Sequence, residues 1–401
     1  MSSISYTSPT AMEPLLPPFS SELESLCVEV IRQSAKLGAG LHPITRQSLQ
    51  QLTREMNCYY SNLIEGHKTK PLDIQRALKQ DFSSDPIKRA LQEESLAHID
   101  TQKKMERRLQ EEPELSICSV EFLCWLHETF YKNLSESLKE VQGDFGLVDT
   151  VKPGFLRTRL VQVGKHVPPS PQYLDAFLQR FHTSYEPSHL KKMSQIIGLA
   201  ASHHRLAWIH PFLDGNGRVA RLFSDAYCTK INIDGHGLWT LSRGLAKHRD
   251  RYMAALANAD IPRQGDLDGR GNLSLNGLID FCVFFLEVCI DQIRFMSSLL
   301  ELETFQNRIE GYCAYLAKTK NIDEKSAAIL NAVLIRGEIN RGNVAEIINK
   351  SERSARNLIK VLLDLGLLTS PSPKGTLRLG FPLSAVNFYF PKLYSENPAN
   401  L

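Results

Sequence analysis

The chain has no Cys-x-x-Cys pair, no strong excess of either charge and no apolar run long enough to cross a membrane. Its eight cysteines (27, 58, 118, 124, 228, 282, 289 and 313) are scattered without metal-ligand spacing. That excludes a zinc-ribbon or disulfide frame as the organising device and reads as reduced core thiols of a cytoplasmic protein. The longest apolar candidate, around 281–290, carries Glu287 and falls well short of the roughly 20 residues that a membrane helix needs, so no membrane partner is expected. Residues 1–19 are rich in Ser, Thr and Pro, with no basic start followed by an apolar core, so they read as a flexible tail and not as a secretion signal. A net charge of +3 over 401 residues identifies neither a nucleic-acid binder nor an acidic tail. No internal repeat or low-complexity segment appears. What remains is a soluble, globular chain long enough for two or three domains.

Helical periodicity fills most of it. Apolar spacing predicts helices over about 20–35, 44–65, 72–80, 86–110, 119–133, 172–184, 190–209, 217–230, 243–259 and 276–316. One stretch breaks the pattern. Leu160, Val161, Gln162 and Val163 are β-prone, lie between Gly154 and Gly164 and precede Pro168-Pro169, which predicts a short hairpin or flap. After residue 320 the order changes to helix (323–335), helix (343–349), helix (352–365), then β-prone runs at 367–370 and 376–379 around a Pro-Ser-Pro-Lys-Gly turn. That is the order of a winged helix-turn-helix. The fold class predicted is all-α, with a β-flap and a small wing. The divisions are 1–19, a helical region 20–110, a central domain 111–320, a winged-helix domain 321–392 and a tail 393–401.

The densest chemistry lies in His210-Pro-Phe-Leu-Asp214-Gly-Asn-Gly-Arg218-Val-Ala-Arg221. Pro211 cannot continue a helix, so the incoming helix should stop at the histidine. Gly215, Asn216 and Gly217 allow a tight turn with unobstructed amides at the start of the next helix, a ready anion nest. Arg218 and Arg221 are three apart and face the same side. An imidazole with an ordinary pKa near ~6.5 takes protons at neutral pH. Base, carboxylate, amide nest and two cations together point to chemistry on a polyphosphate.

These twelve residues resemble the signature of the Fic-domain family, with each fixed position filled. The likeness extends to His203 in the preceding helix, the 154–167 flap and Tyr252 after the motif. The resemblance implies a protein adenylyltransferase that moves AMP from ATP to a Ser, Thr or Tyr hydroxyl of a protein substrate. In that scheme His210 is the base, Asp214 binds Mg2+, and Gly215, Asn216 and Gly217 hold the α-phosphate. Arg218 and Arg221 bind the outer phosphates, Tyr252 lines the adenine pocket or packs between helices, and the flap docks the target as an added strand. A homodimer is also implied. The alternatives are a nucleotide-sensing transcription regulator with little turnover, an enzyme that removes AMP, or another nucleotide donor.

Near the N-terminus, Ser61-Asn-Leu-Ile-Glu65-Gly places Ser61 and Glu65 on one face at a helix end, with glycine as a stop. It is similar to the inhibitory motif of Fic proteins that carry their inhibitor in the same chain. The resemblance implies that Glu65 pairs with Arg221 where a γ-phosphate would bind. In the last domain, residues 321–392 hold ten Lys/Arg and six Asp/Glu, a local charge of +4. Arg353, Arg356 and Lys360 on the third helix, with Lys374 and Arg378 on the wing, are candidates for DNA contacts.

Overall fold

The computed structural model describes residues 6–142, 148–320 and 322–394, so the outermost parts of both predicted tails lie outside the described residues. In chain order the elements are α1 (Ser21–Lys36), α2 (Pro43–Ile64), α3 (Pro71–Leu78), α4 (Pro86–Glu111), α5 (Val120–Tyr131), β1 (Glu140–Gln142) and β2 (Val148–Thr150). There follow α6 (Leu174–Tyr185), α7 (Lys192–Ile209), α8 (Asn216–Lys230), α9 (Leu241–Lys247), α10 (Arg249–Asp260), α11 (Leu275–Leu300) and α12 (Leu302–Lys320). The chain continues with α13 (Ser326–Arg336), β3 (Glu338–Ile339), α14 (Val344–Ile348), α15 (Glu352–Asp364), β4 (Leu368–Thr369), β5 (Leu377–Leu379) and α16 (Leu383–Tyr389).

Several helix starts follow from side-chain caps. Ser20, Ser119, Ser274 and Ser351 each accept from an N–H in the first turn, and Asp85 accepts from Ile87 and Lys88 beside Pro86. α7 lies at the centre and packs on α6, α8 and α11, with Ile196, Ile197, Leu199, Ala200 and Ala201 all buried. α8 is enclosed by α4, α5, α7 and α9, which fixes its N-terminal end inside the molecule. α2 packs on α4 and α9, so its C-terminal end is carried to the same place.

The C-terminal segment forms three helices, α13 to α15, and a three-stranded antiparallel sheet in the order β3-β5-β4. The two β-prone runs pair as predicted, Leu368 opposite Leu379. The third strand was not foreseen, because Glu338–Ile339 is too short to show a period of two. This segment is tied to the remainder: the Thr45 hydroxyl donates to the Leu334 carbonyl (3.1 Å), and the Leu383 N–H donates to Gln75 (3.2 Å).

Other expectations need correction. The helix predicted over 243–259 is two, separated at His248 (φ −113°, ψ 34°). The helix over 276–316 breaks at Glu301, whose carboxylate accepts from the N–H groups of Glu303 and Thr304 and so caps α12. Of the two forms expected at 154–167, hairpin or flap, the structure has the flap. Its β-prone residues find no partner strand, and a single bridge joins Val163 to His166, while Leu160 is 65% exposed. Strands form instead at β1 and β2, where Val141 pairs with Asp149. The predicted N-terminal tail is packed from residue 6 onward. Tyr6 meets the Trp208 ring at 4.8 Å, Met12 is fully buried, and Tyr185 donates to the Leu15 carbonyl at 2.6 Å. Leu393 and Tyr394, assigned to the C-terminal tail, are buried too, and Tyr60 donates to the Leu393 carbonyl at 2.9 Å. Among the described residues, no helix is long and apolar enough to cross a membrane. All eight cysteines are free, and only Cys124 is less than fully buried.

Candidate active site

α7 ends where proline dictates. His210 takes a left-handed conformation (φ 49°, ψ 62°) while its N–H still bonds Leu206 at 3.1 Å. The loop to α8 is then fastened by Asn216, whose amide accepts from the Phe212 N–H (2.9 Å) and donates to the Phe212 carbonyl (2.8 Å). Phe212 stacks on His127 with ring centroids 4.1 Å apart. Burial depresses the His127 imidazole to about 4, so it is neutral: Nδ1 accepts from the Gly154 N–H and Nε2 donates to the Asp214 carbonyl. Gly215 sits at φ 77°, and a Cβ there would lie 2.6 Å from the Tyr131 ring, so both backbone and space require glycine. Tyr131 donates to the exposed Asp214 carboxylate at 2.9 Å.

The rim is set by a residue that sequence reasoning missed. Arg157, 4% exposed, donates to the carbonyls of His210 (2.7 Å), Arg159 (3.0 Å), Pro169 (2.5 Å) and Ile209 (3.4 Å). Its own N–H bonds the Pro211 carbonyl at 2.9 Å. The flap therefore runs along the end of α7 through Arg157. His166 strengthens the contact by bonding the Trp208 carbonyl at 2.7 Å. Burial, followed by the Arg157 charge, holds the His210 imidazole down to about 4, so it is neutral at physiological pH.

The floor holds the two arginines, both closed off by carboxylates. Arg221 donates through Nε to the Ser61 hydroxyl (3.0 Å) and through one terminal nitrogen to Glu65 (2.5 Å). Burial alone would raise the Glu65 carboxyl, but Arg221 and Arg218 outweigh it and its pKa is lowered. A Cβ on Gly217 would lie 2.4 Å from Glu65 Oε1 and 3.1 Å from Arg221, so the Glu65 carboxylate occupies space kept open by that glycine. Arg218 donates to Glu94 of α4, and the other oxygen of Glu94 meets His67 Nδ1 at 2.6 Å. Hydrogen bonding to Glu94 raises the His67 pKa. Neither Glu94 nor His67 carries a sequence signal: Glu94 sits 124 residues from Arg218 in an ordinary charged helix.

Tyr252 is not at the open face. It is 3% exposed and bonds His203 Nε2 at 2.7 Å, while His203 Nδ1 bonds Ser224 at 2.7 Å. This pair packs α7, α8 and α10 together beneath the floor, the packing alternative for Tyr252. The structure thus gathers Ser61, Glu65, His210, Asp214, Gly215, Asn216, Gly217, Arg218 and Arg221, with Leu160 to Val163 alongside.

Residues 117–228 match the model of the Fic/DOC family. The matched segment includes the His210–Arg221 loop and Arg157, whereas Glu65 and Glu94 precede it. The chain is 37% identical over 95 residues to "Protein adenylyltransferase Fic" of Drosophila erecta, covering 24% of this chain and 19% of that protein. It is 43% identical over 77 residues to the protein of the same name from Drosophila ananassae, covering 19% of this chain and 16% of that one. It thus spans about a fifth or less of the length of the curated relatives it matches. Two solved structures share the fold. A Fic family protein from Desulfovibrio desulfuricans G20 aligns at TM-score 0.51 and 16% identity over 94% of this chain and 99% of that chain. Fic-1 (residues 134–508) from C. elegans aligns at 0.51 and 18% over 70% of this chain and 73% of that chain.

Proposed function

We propose that the protein is a self-inhibited adenylyltransferase that transfers AMP from ATP to a hydroxyl of a protein substrate. The observation that carries this reading is the Glu65 carboxylate seated on Arg221 against Gly217. The floor of the domain already accepts an anion, and it is one supplied by the chain itself. A carboxylate and a phosphate present similar oxygen acceptors to a guanidinium, so Glu65 competes with the nucleotide. The buried Nε of Arg218 meets no acceptor among the described residues, which leaves a donor for a phosphate oxygen. The first N–H groups of α8 lack intrahelical acceptors by construction and face the same ligand.

In the reaction, the imidazole of His210 takes the proton of the target hydroxyl as its oxygen bonds the α-phosphorus. The bond from the α-phosphorus to the bridging oxygen breaks and pyrophosphate leaves; the imidazolium then returns its proton to solvent. Arg218, Arg221 and the α8 amides neutralise the polyphosphate, and Asn216 keeps the loop in shape through both of its bonds to Phe212. The residues present fit a divalent cation. Among the described residues no cluster of three or more His, Cys, Asp or Glu side chains exists. Asp214 instead offers one exposed carboxylate, and Mg2+ is commonly held by one or two carboxylates together with substrate phosphates. When bound it would supply charge neutralisation of the phosphates. Leu160 to Val163, beside the rim with Leu160, Gln162 and Val163 exposed, dock the target chain.

The test is a panel of nucleotides labelled at the α-phosphate, run on wild type, Glu65→Gly and His210→Ala, with mass spectrometry of labelled peptides. Glu65→Gly should label several-fold above wild type with ATP. Adding His210→Ala should remove at least ~10²-fold of that rate. Label persisting in the double variant would overturn the assignment of the base, and a preference for another nucleotide would replace the donor.

We further infer that residues 321–392 bind DNA as a winged helix. Arg353 and Lys360 on α15, and Lys374 before β5, are exposed. Arg356 and Arg378 contribute less, since Glu352 (2.6 Å) and Glu338 (2.8 Å) already neutralise them. A mobility shift with genomic fragments at low salt should be lost in Arg353→Glu/Lys360→Glu. No shift from the wild type removes the inference.

A further inference from the structure

Resting on the self-inhibited reading above, we propose that Glu94 and His67 form a second anchor of the inhibitory segment, one that ties it to the Arg218 partner Glu94 and must let go of His67 before Glu65 can leave Arg221. Glu94 is 4% exposed and stands on α4, a different wall of the site from α2. Its carboxylate forks: Oε1 takes Arg218, and Oε2 takes His67 Nδ1 at 2.6 Å. One buried side chain thus ties the phosphate-binding helix to the residue two places beyond Glu65.

The joint between Glu65 and His67 is Gly66, at φ 86°, where an added Cβ would meet nothing within 4 Å. On either side the chain is pinned. Arg249 donates to the Ile64 carbonyl (3.1 Å), and the His67 N–H bonds the Asn62 carbonyl (2.9 Å). Glu65 therefore sits on Arg221 because the segment is held at two points, α2 on one side and Glu94 through His67 on the other. The two arginines are closed to different degrees. Arg221 has both Nε and a terminal nitrogen engaged by Ser61 and Glu65, whereas Arg218 keeps its Nε without an acceptor among the described residues. A nucleotide can thus engage Arg218 without displacing Glu94. Withdrawal of Glu65, however, must pull His67 off Glu94, after which Glu94 serves only to aim Arg218. Glu94 and His67 are positioning residues in this scheme, since neither touches the reacting atoms.

The test is basal self-labelling with α-labelled ATP on the full chain, for wild type, Glu65→Gly, His67→Ala, His67→Gln and Glu94→Gln, together with His67→Ala and Glu94→Gln each in the Glu65→Gly background. His67 is half-exposed, so its variants should melt where the wild type does. His67→Ala should raise basal labelling roughly threefold to tenfold. His67→Gln, which keeps a donor for Glu94, should return it towards the wild-type level. In the Glu65→Gly background His67→Ala should add nothing, and Glu94→Gln should change KM for ATP with little change in kcat, because it disturbs only the aim of Arg218. If Glu65→Gly gains activity and His67→Ala does not, the anchor is wrong and the self-inhibited reading stands. If Glu65→Gly itself gains nothing, that reading falls and the anchor falls with it. Additive gains from Glu65→Gly and His67→Ala would likewise overturn the coupling.

Discussion

At the rim, Arg157 reaches four backbone carbonyls, among them those of His210 and Ile209, whereas on the floor Arg218 and Arg221 are met by the side-chain carboxylates of Glu94 and Glu65. A carbonyl fixed in the main chain cannot rotate away from its donor. A carboxylate at the end of a flexible side chain can, and a phosphate offers the same acceptors in its place. The His210 end of α7 is therefore held permanently, and the two arginines are held provisionally. Contacts that an anionic ligand can exchange lie on the floor, and contacts that fix the backbone lie at the rim.

The largest way to break this contrast is to remove Arg157. Arg157→Ala leaves several buried carbonyls without a donor, at ~1–3 kcal/mol for each that water cannot reach. In the Glu65→Gly background, labelling should drop by about two orders of magnitude, and the melting temperature should fall. Arg157→Lys should rescue little, because an ammonium lacks the planar fork that spans these carbonyls. Full activity in Arg157→Ala, measured with the same labelled ATP, would show that His210 is placed by its own loop alone.

The sequence shows the floor better than the rim, for physical reasons. His210 to Arg221 is legible because its groups are contiguous and each has a local consequence: Pro211 ends α7, and Gly215 takes a positive φ. Ser61 and Glu65 stand out through their likeness to a known inhibitory motif, since a four-residue step at the end of α2 only puts them on one side. Arg157 and Glu94 act across 53 and 124 residues, on partners that no local period announces. Of the expected hairpin or flap, the segment forms a flap, because β-propensity describes how a residue fits beside a neighbouring strand, and of Leu160 to Val163 only Val163 is bridged, to His166. The N-terminal segment was misread because its anchors, Tyr6, Met12 and Leu15, are single apolar residues in a polar stretch, too sparse for any period to register. The helix breaks at His248 and Glu301 carry neither glycine nor proline, so nothing in their composition marks them.

A medium-sized effect should come from Gly217→Ala in the Glu65→Gly background. The new methyl stands where Glu65 Oε1 approached, at 2.4 Å, and 3.1 Å from Arg221. If the outer phosphates take the place of that carboxylate, KM for ATP should rise about tenfold while kcat changes less. An unchanged KM would mean that the nucleotide bypasses the Glu65 position, and the floor would lose its claim to be exchangeable.

The smallest effect concerns pH and tests the rim. Burial and Arg157 depress His210 to about 4, so the imidazole carries no proton at any pH well above that value. With a depressed pKa the base is lost only as pH falls towards 4; the rate limb set by His210 should therefore be flat between pH 6 and 8. The profile is best taken in Glu65→Gly, because protonation of the Glu65 carboxyl in acid would otherwise weaken its hold on Arg221 and add a second effect. An inflection near ~6.5, the ordinary imidazole value, would show that His210 leaves its buried setting when nucleotide binds. The rim would then move with the ligand as the floor does, and the division between fixed and exchangeable contacts would dissolve.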